Sequence, residues 1–376
     1  FTQHLLQHLT RREAGHRDAQ EAVRAVRLIR RREMLRIAMG ECTGVLDAEQ
    51  IMRGLSDADQ AAILGALHVA ERELYEQDGE PVLTDVVIIG MGRQGGAEIG
   101  YGSDADVMYV HRARDGAGEQ EALRQAERLV TRTVQLLKGP VEPAIRAERT
   151  LVIDADLRPE GRSGPMVRSL DSYAEYYARW SDTWEHQALL RARPLAGSDE
   201  VAEAFVRIID PYRYPAELPP RRIQEIRRMK ARVEAERMPR GADPTRQLKL
   251  GRGGLSDVEW LVQLLQLRHA HEHPELRTTS TLRALRAAVP LGLIDAEDAH
   301  VLESAWLLAT RVRGGVVLRT GRASDSLPTA RRDLEAIARW VGCAEGGARV
   351  LEEDYLRLTR RARGIYENLF YGPLSR

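Results

Sequence analysis

The segment Val86-Val87-Ile88-Ile89-Gly90-Met91-Gly92-Arg93-Gln94-Gly95-Gly96, followed closely by Gly102-Ser103-Asp104-Ala105-Asp106-Val107-Met108-Tyr109-Val110, restricts this chain more than any other stretch. It reads as a strand, a glycine-rich turn and a second strand that opens on two alternating acids. Side chains alternate along a strand, so Asp104 and Asp106 share one face while Ala105, Val107 and Tyr109 pack behind. Two carboxylates on one face repel unless a cation lies between them. Such a pair suits nucleotidyl or phosphoryl transfer, where charge on the attacking oxygen, the phosphorus and the leaving pyrophosphate needs neutralising; paired Mg²⁺ ions roughly 3.5–4 Å apart do this. Glycines at Gly92, Gly95 and Gly96 let backbone N–H groups approach a phosphate, and a helix starting near Arg93 would add the positive end of its dipole.

A third carboxylate is expected from a neighbouring strand. Thr150-Leu151-Val152-Ile153-Asp154-Ala155-Asp156-Leu157-Arg158-Pro159 is rich in β-branched and aliphatic residues and stops at a proline. Asp154 and Asp156 share a face that Arg158 continues. An acid there completes a metal cage or accepts a proton from an incoming hydroxyl, with Arg158 available to phosphate oxygens. Gly90-x-Gly92-x-x-Gly95 also matches a dinucleotide-binding fingerprint. That fold needs a full crossover helix, whereas Gly100 and Gly102 interrupt at once, and the paired acids would go unexplained. A plain Ser-Asp strand cap is the bland reading of the same acids, and the glycine turn and the third acidic strand argue against it.

Composition sets the wider limits. The 376 residues are 30% charged and 43% hydrophobic, normal for a globular chain able to bury one large or two ordinary cores. A formal net charge of +0 argues against a general nucleic-acid or membrane-surface binder. Cys42 and Cys343 are too few for a disulfide framework and suit a reducing cytoplasm, and neither a membrane span nor a signal peptide is visible. Residues 1–80 read as a helical lead, 81–200 as a mixed α/β core and 201–376 as a helical domain beyond a proline-rich joint from Pro211 to Pro220. Strands are expected at Val86–Ile89, Asp106–Val110 and Leu151–Asp154, with helices at Glu119–Leu137 and Leu255–His269. Arg221–Lys230 forms a helix with a dense basic face, read as solvated or as meeting an acidic partner. Lys249, ahead of Gly251-Arg252-Gly253-Gly254, is placed for a phosphate or partner contact or for a simple helix-capping turn. His269 and His273 have i, i+4 spacing but no cysteine or acid partner for zinc. The tryptophans, Trp180 included, are expected to fill cores.

Met91-Gly92-Arg93 to Asp104-Ala105-Asp106 fits the nucleotidyltransferase pattern of an apolar residue, two small residues, a spacer and Asp-apolar-Asp. With Arg30–Ala38, Leu157–Gly164, Thr183-Trp184-Glu185-His186-Gln187-Ala188-Leu189 and Gly251–Glu259, the chain resembles the glutamine synthetase adenylyltransferases along nearly its whole length. The resemblance implies an α+β fold, with a polymerase-β-like nucleotidyltransferase core, flanking helices and a following all-α bundle. It also implies ATP as substrate, Mg²⁺ as cofactor, glutamine synthetase as protein partner and the PII signalling protein as regulator. Asp104, Asp106 and Asp154 would be the metal-binding and catalytic acids, and Gly92, Arg93, Gly95, Ser103, Arg158 and Lys249 the nucleotide contacts. Family members resemble two tandem halves, one attaching AMP to a tyrosine and one removing it by phosphorolysis. Trp184-Glu185-His186 and Ser256-Asp257-Val258-Glu259 resemble the carboxyl-terminal, AMP-attaching half; the removing half and a non-enzymatic docking module are the alternatives. Phe1 in place of Met suggests a piece of a longer protein, and the tail from Tyr366 to Tyr371 looks like a natural carboxyl terminus. Three departures stand out. Arg93 replaces the usual Lys, Gln94 an aliphatic residue, and Asp156 an Arg common in relatives, which leaves Asp154 as the expected functional acid.

Overall fold

The computed structural model describes residues 3–15, 18–77, 79–343 and 347–372. The chain divides into two compact units, one of residues 1–99 and 103–212, the other of residues 100–102 and 213–376.

The first unit opens with helices α1 (Gln3–Ala14), α2 (Ala19–Cys42) and α3 (Ala48–Arg72). Asp47 starts α3 with a capping box: its carboxylate accepts from Gln50 N at 2.8 Å while the Gln50 side chain accepts from Asp47 N at 3.0 Å. Arg30, from one of the motifs noted in the sequence, is buried on α2 and pairs with buried Asp59 of α3 at 2.5 Å. It is therefore a brace between helices.

Strand β1 (Thr84–Gly90) is followed by a single helical turn, α4 (Gly92–Gly95), then β2 (Ala105–Ala113), α5 (Glu119–Lys138), β3 (Ile153–Asp154) and β4 (Val167–Ser169). Helices α6 (Leu170–Arg179) and α7 (Thr183–Leu189), strand β5 (Arg193–Gly197) and helix α8 (Asp199–Arg213) complete the unit. The sheet runs β3-β2-β1-β5, with β4 also beside β2. β1 is antiparallel to both β2 and β5, whereas β3 and β4 run parallel to β2 on its other edge, one after the other. An antiparallel β1–β2 pair joined by one helical turn is not a βαβ crossover, which removes the dinucleotide-binding alternative.

Both faces of the sheet are covered, which explains why Val86 to Ile89 form an unbroken apolar run. Val86, Ile88, Ala105, Val107 and Tyr109 pack with residues of α2, α3 and α5. Val87, Ile89, Met108 and Val110 pack with Leu170, Tyr173 and Tyr177 of α6 and with Phe205 and Ile209 of α8. By alternation along β2, Asp106 lies on the second of these faces, half-buried at the start of the strand.

The second unit is helical: α9 (Pro220–Arg237), α10 (Leu255–His269), α11 (Thr281–Ala288), α12 (Ala296–Thr320), α13 (Arg331–Trp340) and α14 (Ala348–Tyr371). Pro220 sits at the first position of α9, where its missing N–H costs no hydrogen bond. The basic face of α9 is not wholly solvated. Lys230 is 0% exposed, with Nζ 2.5 Å from Asp257 and 2.6 Å from Glu234, while Arg363 reaches the same Asp257 at 3.0 Å. Asp257 also accepts from Gly253 N at 2.7 Å, so it ties the turn ahead of α10 to α9 and α14. Trp306 fills the core, but Trp180 is 71% exposed, contrary to the expectation for that residue. Among the described residues no helix is long and apolar enough to cross a membrane.

Candidate active site

Strands β2 and β3 bring two acids together. Their parallel register pairs Ala105 with Ile153 and Asp106 with Asp154. Paired positions in neighbouring strands lie about 5 Å apart and project to the same face. Ala105 N donates to Val152 O at 2.8 Å, which holds the two strand ends in this register. Asp104 stands just before β2, exposed, one alternation step from Asp106.

The glycine turn lies directly against this pair. Met91 N donates to Asp106 O at 2.8 Å. Gly92 has φ +49°, and a Cβ there would sit 2.2 Å from Asp106 Oδ2. Only glycine gives both the left-handed backbone and the room for the carboxylate. Gly95 is demanded by packing instead: a Cβ would fall 1.7 Å from Arg191 O. The helical segment after Met91 is only four residues long, so the dipole expected from a helix at Arg93 is small. Arg93 is half-buried and turns its Nε to Glu98 O at 2.9 Å, across its own loop. Ser103 is half-buried one residue before Asp104.

The loop after β3 separates the two aspartates of Asp154-Ala155-Asp156. Asp154 Oδ1 accepts from Asp156 N at 2.8 Å, closing a tight turn that ends the strand. Asp156 Oδ2 accepts from Arg162 Nε at 2.7 Å, so its charge is met within the loop. Arg158, expected at phosphate oxygens, is buried and turned inward. Its guanidinium donates to Ala155 O at 2.7 Å, Gly164 O at 3.2 Å and Arg162 O at 3.3 Å. It draws together the neck of the loop behind Asp154. Lys249 is exposed in the second unit, where its carbonyl accepts from Ser256 N at 2.9 Å at the start of α10.

Among the described residues no three His, Cys, Asp or Glu side chains are arranged to hold a metal ion as a ready-made cage. What the structure provides is the Asp106–Asp154 pair with Asp104 at its rim. That donor set fits Mg²⁺, which takes hard carboxylate oxygens, needs only one or two of them and completes its octahedron with water and phosphate oxygens. Two cavities of this unit lie away from the pair: one of about 560 Å³ is lined by Glu73, Arg128 and Arg132, and one of about 550 Å³ by Glu160, Arg168, Tyr176 and Trp180. Asp154 stands on the edge strand β3 and Asp106 on β2 beside it.

The motif Thr183–Leu189 supports the site from a distance. Glu185 is buried in α7, where burial raises its pKa; it accepts from Tyr176 Oη at 2.9 Å and from Asp182 N at 2.7 Å. Tyr176 is pushed up to about 12 by burial and by that carboxylate. His186 Nε2 lies 2.8 Å from Ser181 Oγ. These contacts seat α7, and the chain leaving it carries Arg191, whose Nη1 pairs with buried Glu98 Oε2 at 2.8 Å, and then Arg193. Neither arginine was singled out from the sequence. The available signal was two basic residues flanking Ala192 in an otherwise apolar run.

Comparison with known proteins accords with these motifs. The family model described as glutamate-ammonia ligase adenylyltransferase matches residues 2–208, and that described as GlnD PII-uridylyltransferase matches residues 227–370. The bifunctional glutamine synthetase adenylyltransferase/adenylyl-removing enzyme of Streptomyces avermitilis is 49% identical over 368 residues, covering 94% of this chain and 36% of that protein. Its counterparts in Leifsonia xyli subsp. xyli and Mycobacterium leprae are 46% and 45% identical, covering 96% and 94% of this chain and 35% of each relative. The chain thus spans about a third of the length of the curated relatives it matches.

Proposed function

We infer, from the premise that this chain belongs to the glutamate-ammonia ligase adenylyltransferase family, that it transfers AMP from ATP to a tyrosine hydroxyl of glutamine synthetase and releases pyrophosphate. The observation that carries this reading is the Asp106–Asp154 register beside the glycine turn at Gly92. We read the first unit as a polymerase-β-like nucleotidyltransferase core with its flanking helices. The second unit we read as a helical bundle that helps dock the acceptor protein, with PII as a regulatory partner and the cytoplasm as the setting.

Asp104, Asp106 and Asp154 would hold Mg²⁺, which supplies charge neutralisation on the triphosphate and the departing pyrophosphate. Asp154, on the neighbouring strand, accepts the phenolic proton as the tyrosine oxygen bonds to the α-phosphorus and the α–β bridging bond breaks. Gly92, Arg93 and Ser103 border the phosphates, Gly95 lets the turn seat against the Arg191 backbone, and Arg158 braces the loop that follows Asp154. Lys249 is a further candidate phosphate contact. The AMP-attaching direction rests on the likeness of Trp184-Glu185-His186 and Ser256-Asp257-Val258-Glu259 to that half of the family.

Incubating this chain with α-labelled ATP, Mg²⁺ and unmodified glutamine synthetase should label the synthetase. Asp106→Asn should cut transfer by at least about a thousandfold through lost charge stabilisation. Phosphate-dependent release of ADP from adenylylated synthetase, with no labelling in the forward direction, would assign the chain to the removing half. Near-normal turnover in Asp106→Asn would overturn the site itself.

A further inference from the structure

The carbonyls of the glycine turn at Gln94 and Gly95 are both held by one guanidinium. Arg193 stands opposite Gly90 in the β1–β5 register. It donates Nε to Gly95 O at 2.9 Å, Nη2 to Gln94 O at 3.1 Å and Nη1 to Gln60 Oε1 at 2.9 Å. Gln60 is itself fixed, since its Nε2 donates to Leu195 O at 2.9 Å. The Gln94 side chain reaches the same helix, donating Nε2 to Ser56 O at 3.1 Å. Helix α3 and strand β5 therefore form a rigid backing, and Arg193 is the fork that joins both to the turn.

The opposite end of the turn meets the proposed site. Met91 N is bonded to Asp106 O, and the Gly92 Cα lies against the Asp106 carboxylate. The turn is only four residues long, so moving Gln94 and Gly95 must move Gly92. We propose that Arg193 is a positioning residue for the transfer site: it fixes the Gln94–Gly95 end of the turn and so sets where Gly92 and Asp106 stand. This rests on the functional reading above. The chemistry calls for arginine in particular, because three acceptors in different directions match a planar five-donor fork and not a single ammonium. Burial lowers the Arg193 pKa from its ordinary value, with the nearby Asp57 carboxylate opposing the shift and Arg53 adding to it.

Arg193→Lys and Gln60→Leu separate this role from bulk support, the second removing the anchor of Nη1 together with the Gln60 bonds to Leu195 and Gln3 while leaving the other two Arg193 contacts in place. Nucleotide affinity is read directly by titrating the protein with a fluorescent ATP analogue and Mg²⁺, beside KM for ATP, KM for glutamine synthetase and the thermal midpoint. For Arg193→Lys the nucleotide Kd and KM for ATP should rise about tenfold while KM for glutamine synthetase stays unchanged. Gln60→Leu should shift the same two quantities in the same direction by less. Wild-type Kd values in both variants, or a rise in both KM values in step with lost stability, overturns the positioning role alone. If the wild-type chain binds no nucleotide, the functional reading fails and this inference falls with it.

Discussion

Gly92→Ala is the sharpest perturbation the structure offers. Two effects act at once. The backbone at Gly92 has φ +49°, a region that costs an alanine about 1–2 kcal/mol. The new Cβ would also lie 2.2 Å from Asp106 Oδ2. Carbon and oxygen come to rest at roughly 3.3–3.6 Å, so the carboxylate must move by about 1 Å. A displacement of that size in a reacting constellation costs about a hundredfold in rate, or about 2.7 kcal/mol of barrier. The stability loss should therefore be modest and the activity loss large.

Gly116→Ala supplies the control. Gly116 has φ +81°, and a methyl group placed there would meet no other heavy atom within 4 Å, so the same alanine carries the backbone strain and no clash. Both variants should lose similar stability in urea unfolding. Only Gly92→Ala should lose transfer of labelled AMP, by about a hundredfold per folded molecule. The reasoning is refuted if Gly92→Ala stays within about threefold of wild type. It is equally refuted if Gly116→Ala is impaired as much.

Asp154→Asn should impair transfer at least a hundredfold or so, whereas Asp156→Asn, whose carboxylate is already met by Arg162, should change it by less than about threefold; equal losses in a labelled-ATP assay would reverse the assignment. His111 is buried beside Thr84 Oγ1 at 3.1 Å, and burial lowers its pKa below the ordinary 6.5. The unfolded chain then binds more protons than the folded one below that value, so stability is full above about pH 6.5 and declines as pH falls through it, and urea titrations of His111→Gln should show a flatter acid limb. Lys230→Met leaves Asp257 buried with Arg363 as its remaining cation, and should cost about 3–5 kcal/mol in denaturant unfolding; a loss under about 1 kcal/mol would mean the network carries little.

Local pattern was readable where a single element decides the outcome. The helices expected at Glu119–Leu137 and Leu255–His269 are found at Glu119–Lys138 and Leu255–His269, because apolar spacing and their flanking glycines act within the segment itself. The strands at Val86–Ile89 and Asp106–Val110 likewise fall inside β1 and β2. The strand expected at Leu151–Asp154 ends where expected, at the turn in which the Asp154 carboxylate captures Asp156 N, but starts only at Ile153, because just Ile153 and Asp154 pair with β2.

Roles that depend on distant partners were not readable. Arg158 looked like a phosphate ligand because, in an extended strand, it would continue the face of Asp154 and Asp156; the three carbonyls that turn it inward belong to a loop whose path no periodicity describes. Lys230 sat in a basic run that suggested solvent, yet Asp257 and Glu234 make its burial tolerable. Arg193 acts on carbonyls of Gln94 and Gly95, and only the β1–β5 register brings them within reach.

These distant contacts also explain how two acids can be held side by side. Asp106 and Asp154 repel each other in the ligand-free protein, and carboxylates on free loops would splay apart. Here the main chain resists that tendency. Ala105 N to Val152 O ties the two strands, Met91 N to Asp106 O ties the turn to β2, and the Asp154 carboxylate is restrained by Asp156 N. Arg158 and Arg193 then brace the loop and the turn from behind, each bonding backbone carbonyls. Positive charge is thus used to fix the backbone frame on which the acid pair stands. A site built this way keeps its geometry before substrate arrives, so substitutions in the bracing arginines should appear as weakened nucleotide binding ahead of any loss of fold.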